Sequence, residues 1–158
     1  MNTGPDLWVL PLTGDRKPFP FVNTAFNEIP GAFSPDGRWI AYTSNESGRP
    51  EVYVAPFPGP GGKWQVSTAG AGAAHWRRDG REIFYSGLDG RIMAAAVTAE
   101  GARFDVGAVR AMFEVRAGGP RSFFDVTPDN RFLVNVSPQR SEVSPITLVV
   151  NWAAELKK

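Results

Sequence analysis

The run Phe33-Ser34-Pro35-Asp36-Gly37-Arg38-Trp39-Ile40-Ala41-Tyr42-Thr43-Ser44 decides how the rest of the chain is read. Pro35 presets φ for a turn, the Asp36 side chain can accept backbone N–H bonds, and Gly37 reaches positive φ at no steric cost. After the turn, Trp39, Ala41 and Thr43 fall on one face and Ile40, Tyr42 and Ser44 on the other. This period of two, in aromatic and β-branched residues, predicts a strand. The unit returns as Trp76-Arg77-Arg78-Asp79-Gly80-Arg81-Glu82-Ile83-Phe84-Tyr85, and again as Val126-Thr127-Pro128-Asp129-Asn130-Arg131-Phe132-Leu133-Val134. Asp79 follows Asp36 by 43 residues, and Asp129 follows Asp79 by 50.

A β unit repeating every ~40–50 residues has the period of a propeller blade. Outward from the first unit, Glu51-Val52-Tyr53-Val54-Ala55-Pro56-Phe57 echoes Asp6-Leu7-Trp8-Val9-Leu10-Pro11-Leu12 at a distance of 45 residues. The opening pair over 6–23, strands Asp6–Leu12 and Lys17–Val22, therefore reads as the second half of a blade, with Pro18 and Pro20 placing its second strand on an edge. Residues 31–70 read as a full blade with strands Gly31–Phe33, Trp39–Ser44, Glu51–Pro56 and Lys63–Thr68. Residues 73–116 read as another, with strands Ala74–Trp76, Glu82–Ser86, Arg91–Val97 and, after a turn at Ala99-Glu100-Gly101, Ala108–Val115. Residues 122–152 supply three strands of a last blade, Ser122–Val126, Arg131–Val136 and Ile146–Trp152.

The predicted fold is all-β, a partial β-propeller of about three four-stranded blades. A propeller typically needs ~4–8 blades, and unpaired edge strands invite another chain. A homodimer closing a ring of about six blades is therefore expected. The sequence leaves open whether Lys17–Val22 alone completes the partner's last blade, or Asp6–Leu12 enters with it and one strand is surplus.

Composition bounds the function. The 158 residues carry a formal net charge of +1, too small to argue for nucleic acid or an anionic membrane. With no cysteine, disulfides and thiolate metal sites are excluded. No apolar run approaches the ~18 residues of a membrane span. Met1–Asp6 lacks the basic and apolar regions of a signal peptide. The expectation is a cytoplasmic chain, or one excised from a longer protein.

The turn-and-strand run at Phe33–Ser44 resembles the signature of TolB-like, WD-type (PD40) propeller repeats. Further matches are Glu51-Val52-Tyr53-Val54, Pro56-Phe57-Pro58-Gly59, Gly62-Lys63-Trp64-Gln65-Val66-Ser67, Arg78–Tyr85, Phe124-Asp125-Val126 and Ile146–Trp152. Together they are similar to the C-terminal propeller half of large bacterial serine/threonine protein kinases. The resemblance implies a sensory or protein-binding propeller attached to a kinase. The kinase's own glycine-rich loop, His-Arg-Asp loop and Asp-Phe-Gly do not occur. Two positions depart from the repeat: Asn130 stands in place of Gly, which left-handed geometry tolerates, and His75 stands where many relatives carry Arg or another polar residue.

The recurring Asp36, Asp79 and Asp129 read as turn caps rather than as a rim of catalytic carboxylates. His75 is the only histidine. Aligning Phe33, Trp76 and Val126 places Ala32, His75 and Asp125 at one blade position, on the innermost strand that lines the channel. In a two-fold dimer two copies of His75 and Asp125 can converge, and imidazole with carboxylate suits zinc or manganese. The plainer reading of His75 is a single polar channel residue bonded to backbone or water. Arg77, Arg78, Arg121 and Glu28 belong to the same openings and are candidates for holding an anionic ligand.

A Ser/His/Asp centre is poorly supported, since Gly-x-Ser-x-Gly is missing. Gly59-Pro60-Gly61-Gly62-Lys63 fails the Walker spacing and leads into a strand. Two functions follow as expectations. The first is a non-catalytic scaffold or sensor-type module binding a protein or small ligand at the ring face or channel mouth. The second is a metal-dependent hydrolase, of esterase or glycosidase type, with its site at the channel of a dimeric propeller.

Overall fold

The computed structural model describes residues 4–59, 61–115 and 124–135. These contain twelve strands and no helix. β1 (Leu7–Val9) and β2 (Phe19–Val22) form a two-stranded sheet. β3 (Glu28–Phe33), β4 (Trp39–Ser44), β5 (Glu51–Pro56) and β6 (Trp64–Gln65) form a four-stranded sheet in chain order. β7 (Ala71–Trp76), β8 (Glu82–Gly87), β9 (Arg91–Glu100) and β10 (Arg103–Glu114) form a second one in the same order. β11 (Phe124–Val126) and β12 (Phe132–Val134) pair as a final two-stranded sheet. Every pairing is antiparallel. The architecture is all-β and compatible with part of a propeller. No helix is long and apolar enough to cross a membrane.

The Asp turns behave as their chemistry dictates. Gly37, Gly80 and Asn130 take φ of 70°, 73° and 63°. Asp36 accepts the Ser34 hydroxyl at 2.6 Å and the Arg38 N–H at 3.1 Å. Asp79 accepts the Arg81 N–H at 3.1 Å, and Asp129 accepts the Thr127 hydroxyl. Each turn is closed by a backbone bond across it, from Ser34 to Trp39, Arg77 to Glu82 and Thr127 to Arg131.

The sheets stack face on face. Trp39, Ala41, Val52 and Val54 pack against Ala74, Trp76, Ile83, Tyr85 and Phe104. Phe84, Ile92 and Ala94, on the far face of the second four-stranded sheet, pack against Phe124 and Phe132. Ile40, Tyr42 and Tyr53, on the far face of the first, pack against Leu7, Phe21 and Val22. Both faces of each central sheet are thus covered, which is why all six residues of β4 are buried. Burial of this kind stabilises by roughly 1.5–3 kcal/mol per large apolar side chain.

One set of ties recurs between neighbouring sheets. The Glu28 N–H donates to Pro5 O at 2.9 Å, and the Ala71 N–H donates to Pro50 O at 2.8 Å. The Thr24 N–H reaches Asp6 Oδ1 at 3.2 Å, and the Gly70 N–H reaches Glu51 Oε1 at 2.8 Å. Pro5 and Asp6 stand 45 residues before Pro50 and Glu51. β1 therefore relates to β3 as β5 relates to β7.

Several strands differ in extent from the sequence expectation. β3 begins at Glu28 rather than Gly31, because a bulge between Ile29 and Ala32 takes Pro30 out of the ladder, where its missing N–H costs nothing. β7 likewise begins at Ala71, with a bulge between Ala71 and Ala74. β6 is only Trp64–Gln65, since the Ser67 hydroxyl, not a longer ladder, accepts the Val52 N–H at 2.8 Å. β9 and β10 turn at Gly101-Ala102, two residues later than expected at their start, and β10 begins at Arg103 because Phe104 anchors it on Trp39. Residues Ser122–Phe123 and the predicted strand Ile146–Trp152 lie outside the described residues.

Candidate functional site

The first strands of successive sheets, β3, β7 and β11, run beside one another. Pairing places Ala32 opposite Ala41, His75 opposite Phe84 and Asp125 opposite Leu133, the same rung of each ladder. The two bulges push Pro30-Gly31 of β3 and Gly72-Ala73 of β7 off their ladders. With Ile29, His75 and Phe124 these residues wall a groove of about 430 Å³. Its walls are mainly apolar: a proline and an isoleucine on one side, glycine and alanine on the next, and the Phe124 ring on the third.

His75 is the polar side chain of that groove and is partly buried. Its ring lies 4.7 Å from the Phe124 ring, centroid to centroid, and its Nδ1 is 3.8 Å from Asp125 Oδ1. Burial holds the imidazole below its ordinary pKa of 6.5, against upward pulls from the Asp125 charge and a hydrogen bond to the Phe124 backbone. Asp125 itself is largely exposed, and its Oδ1 accepts the Val126 N–H at 2.8 Å. Near neutral pH the groove therefore presents an uncharged imidazole with a carboxylate at its mouth.

The other sequence candidates go elsewhere. Arg77 turns to Glu82, Nη1 to Oε2 at 3.0 Å, and to Asp79, Nε to Oδ2 at 3.5 Å. With Arg78, Asp79, Pro128 and Asn130 it borders a separate cleft of about 390 Å³. Glu28 is buried; its Oε1 accepts the Thr24 hydroxyl at 2.7 Å and the Ser44 hydroxyl at 3.3 Å. It fastens the loop before β3 to the end of β4, away from His75. Arg121 lies outside the described residues. Of the five, the structure brings together His75 and Asp125.

Among the described residues no three His, Asp or Glu side chains converge as metal ligands. His75 and Asp125 provide two donors of the three protein ligands a catalytic zinc takes. The described part of one chain therefore does not fit a zinc or manganese centre. Sequence reasoning missed the apolar wall of the groove. Its signal is the pair of small or cyclic residues, Pro30-Gly31 and Gly72-Ala73, ahead of the turn motifs, which a period-two reading treats as breaks.

Comparison with known proteins gives partial matches. No family model matches the chain. Tricorn protease homolog 1 of Streptomyces coelicolor is 32% identical over 92 residues, 56% of this chain and 8% of that protein. Putative tricorn protease homolog 2 of the same organism is 40% identical over 58 residues, 37% of this chain and 5% of that protein. The chain is thus similar to short stretches of these proteins and spans less than a tenth of either one's length.

Proposed function

We propose that the sheets are consecutive blades of a β-propeller, about three in one chain and about six in a ring that two copies close, and that the ring is a non-catalytic scaffold or sensor-type module binding a protein or small ligand from its channel side. The repeated interstrand ties and face-to-face stacking support the blade assignment. The resemblance to TolB-like repeats and to kinase-attached propellers supports the sensory role. The matched stretches of the tricorn protease homologues are too short to bring any protease activity with them.

The observation that carries the binding reading is the groove along β3, β7 and β11. Its apolar walls favour an apolar ligand body, and His75 favours one hydrogen-bonding group on it. The hydrolase reading rests on His75 and Asp125 alone, and one chain's described residues do not complete a metal site without a second copy of the pair or a further donor.

The sole histidine makes the test direct. We expect small amphiphiles, screened one by one against the purified protein, to shift the His75 ring resonances, and Phe124→Ala to weaken those that bind by about tenfold or more. Binders that leave the His75 ring unperturbed, or an ester or glycoside hydrolysis that chelators and His75→Ala abolish, contradict this reading.

A further inference from the structure

Positions buried in the complete sheets are exposed in the two half-sheets. Leu133 of β12 pairs with Asp125 as Ala41 of β4 pairs with Ala32, yet Leu133 is 74% exposed and Ala41 is fully buried. Trp8 of β1 stands 45 residues before Tyr53 of β5, and is 57% exposed against 4%. Leu10 and Leu12, which continue the chain beyond β1, are exposed as well. Among the described residues, apolar side chains in equivalent places thus lack their cover in both half-sheets.

The two open edges are complementary. Among the described residues β1 is bonded along one edge, to β2, and β12 along one edge, to β11. One pair equals the first two strands of a complete sheet, and the other equals the last two. They cannot meet within one chain, because β1–β2 covers the outer face of the first four-stranded sheet and β11–β12 covers the opposite outer face of the second. In the complete sheet Ile40 faces Ala55, Ala41 faces Val54 and Tyr42 faces Tyr53. Transferred through the observed β11–β12 pairing and the 45-residue offset of β1 from β5, Phe132 faces Leu10, Leu133 faces Val9 and Val134 faces Trp8.

We infer that β1 and β2 of a second copy complete the β11–β12 sheet by an antiparallel β12–β1 ladder in this register. The joined sheet, β11-β12-β1-β2, repeats the order of β3-β4-β5-β6 strand for strand. Two such joints shut the ring and bury Trp8, Leu10 and Leu133. The inference rests on the two-copy propeller proposed above and adds which strands meet and where. It assigns both strands of the opening pair to the partner's last blade, which makes the strand expected at Ile146–Trp152, outside the described residues, the surplus one.

The absence of cysteine makes cross-linking specific. The double variant Val9→Cys/Leu133→Cys, oxidised with glutathione disulfide, is expected to run as a covalent dimer on non-reducing gels. The slipped pair Pro11→Cys/Leu133→Cys should link about tenfold less, since diagonal Cβ atoms lie ~7–8 Å apart. If the first pair impairs folding, Trp8→Cys/Val134→Cys tests the same ladder. A wild-type protein with the native mass of two chains whose matched pairs fail to link overturns this register and leaves the ring intact. A link that appears only after residues 136–158 are removed assigns the β12 edge to that segment and also overturns the inference. A wild-type native mass of one chain overturns the ring itself.

Discussion

At the residue scale, the groove histidine is a single side chain pulled two ways. Burial depresses the His75 pKa, and Asp125 and the Phe124 backbone partly restore it. In the unfolded chain the same imidazole titrates near 6.5. Between the folded and unfolded values the unfolded chain binds more protons, so stability falls as pH drops through 6.5 toward the folded value. We expect the denaturation midpoint to decrease over that interval, and His75→Gln to remove the His75 part of the decrease. Asp125→Asn takes away an upward pull, and should move the folded-state titration of His75, followed by its ring resonances, to still lower pH. A His75 that titrates at or above 6.5 in the folded protein contradicts the account. The turn residues act differently. Asp36 is held below its ordinary value by the Ser34 hydroxyl first and the Arg38 N–H next, so its contribution is lost only in acid below the usual carboxylate range.

At the element scale, the bulged first strands are the part that local pattern conceals. A proline inside Glu28–Phe33 reads as a loop, because a strand donates every other N–H to its neighbour and proline has none. The structure keeps the strand and bulges it, with Glu28 paired to Ser44 on one side of the bulge and Ala32 to Ala41 on the other. Gly31 is confined by this arrangement: a Cβ built there would come 1.8 Å from the Ala41 carbonyl oxygen. Since Ala41 belongs to the buried β4, its backbone has little freedom to retreat. Gly31→Ala should therefore destabilise by about 1–3 kcal/mol or more, measured by urea denaturation. A midpoint equal to wild type shows that the bulge is looser than described. By contrast, the Asp-Gly turns and the strands β4 and β5 were legible from residues alone, since turn chemistry and period-two alternation agree there. The shared rung of His75 and Asp125 was legible too, through the repeat. The apolar groove beside them was not, because bulges leave no periodic trace.

At the scale of the whole molecule, stacking covers both faces of the two four-stranded sheets and, among the described residues, leaves the outer faces of the two half-sheets bare. A stack of this kind gains from each added neighbour, because a sheet with one uncovered face exposes the very residues that its repeat equivalents bury. Closing the stack on a second copy covers both ends at once and removes both open edges. In the proposed two-copy ring the groove along β3, β7 and β11 forms part of the channel wall. The repeat period made the recurring antiparallel unit legible in the sequence. Which strand edges stay unpaired among the described residues was not legible, because that follows only from the pairing of β1 with β2 and of β11 with β12. The central claim is that one chain is an incomplete ring. Sedimentation equilibrium of the purified chain tests it most directly: the account predicts the mass of two chains, and a well-folded species with the mass of one would contradict it.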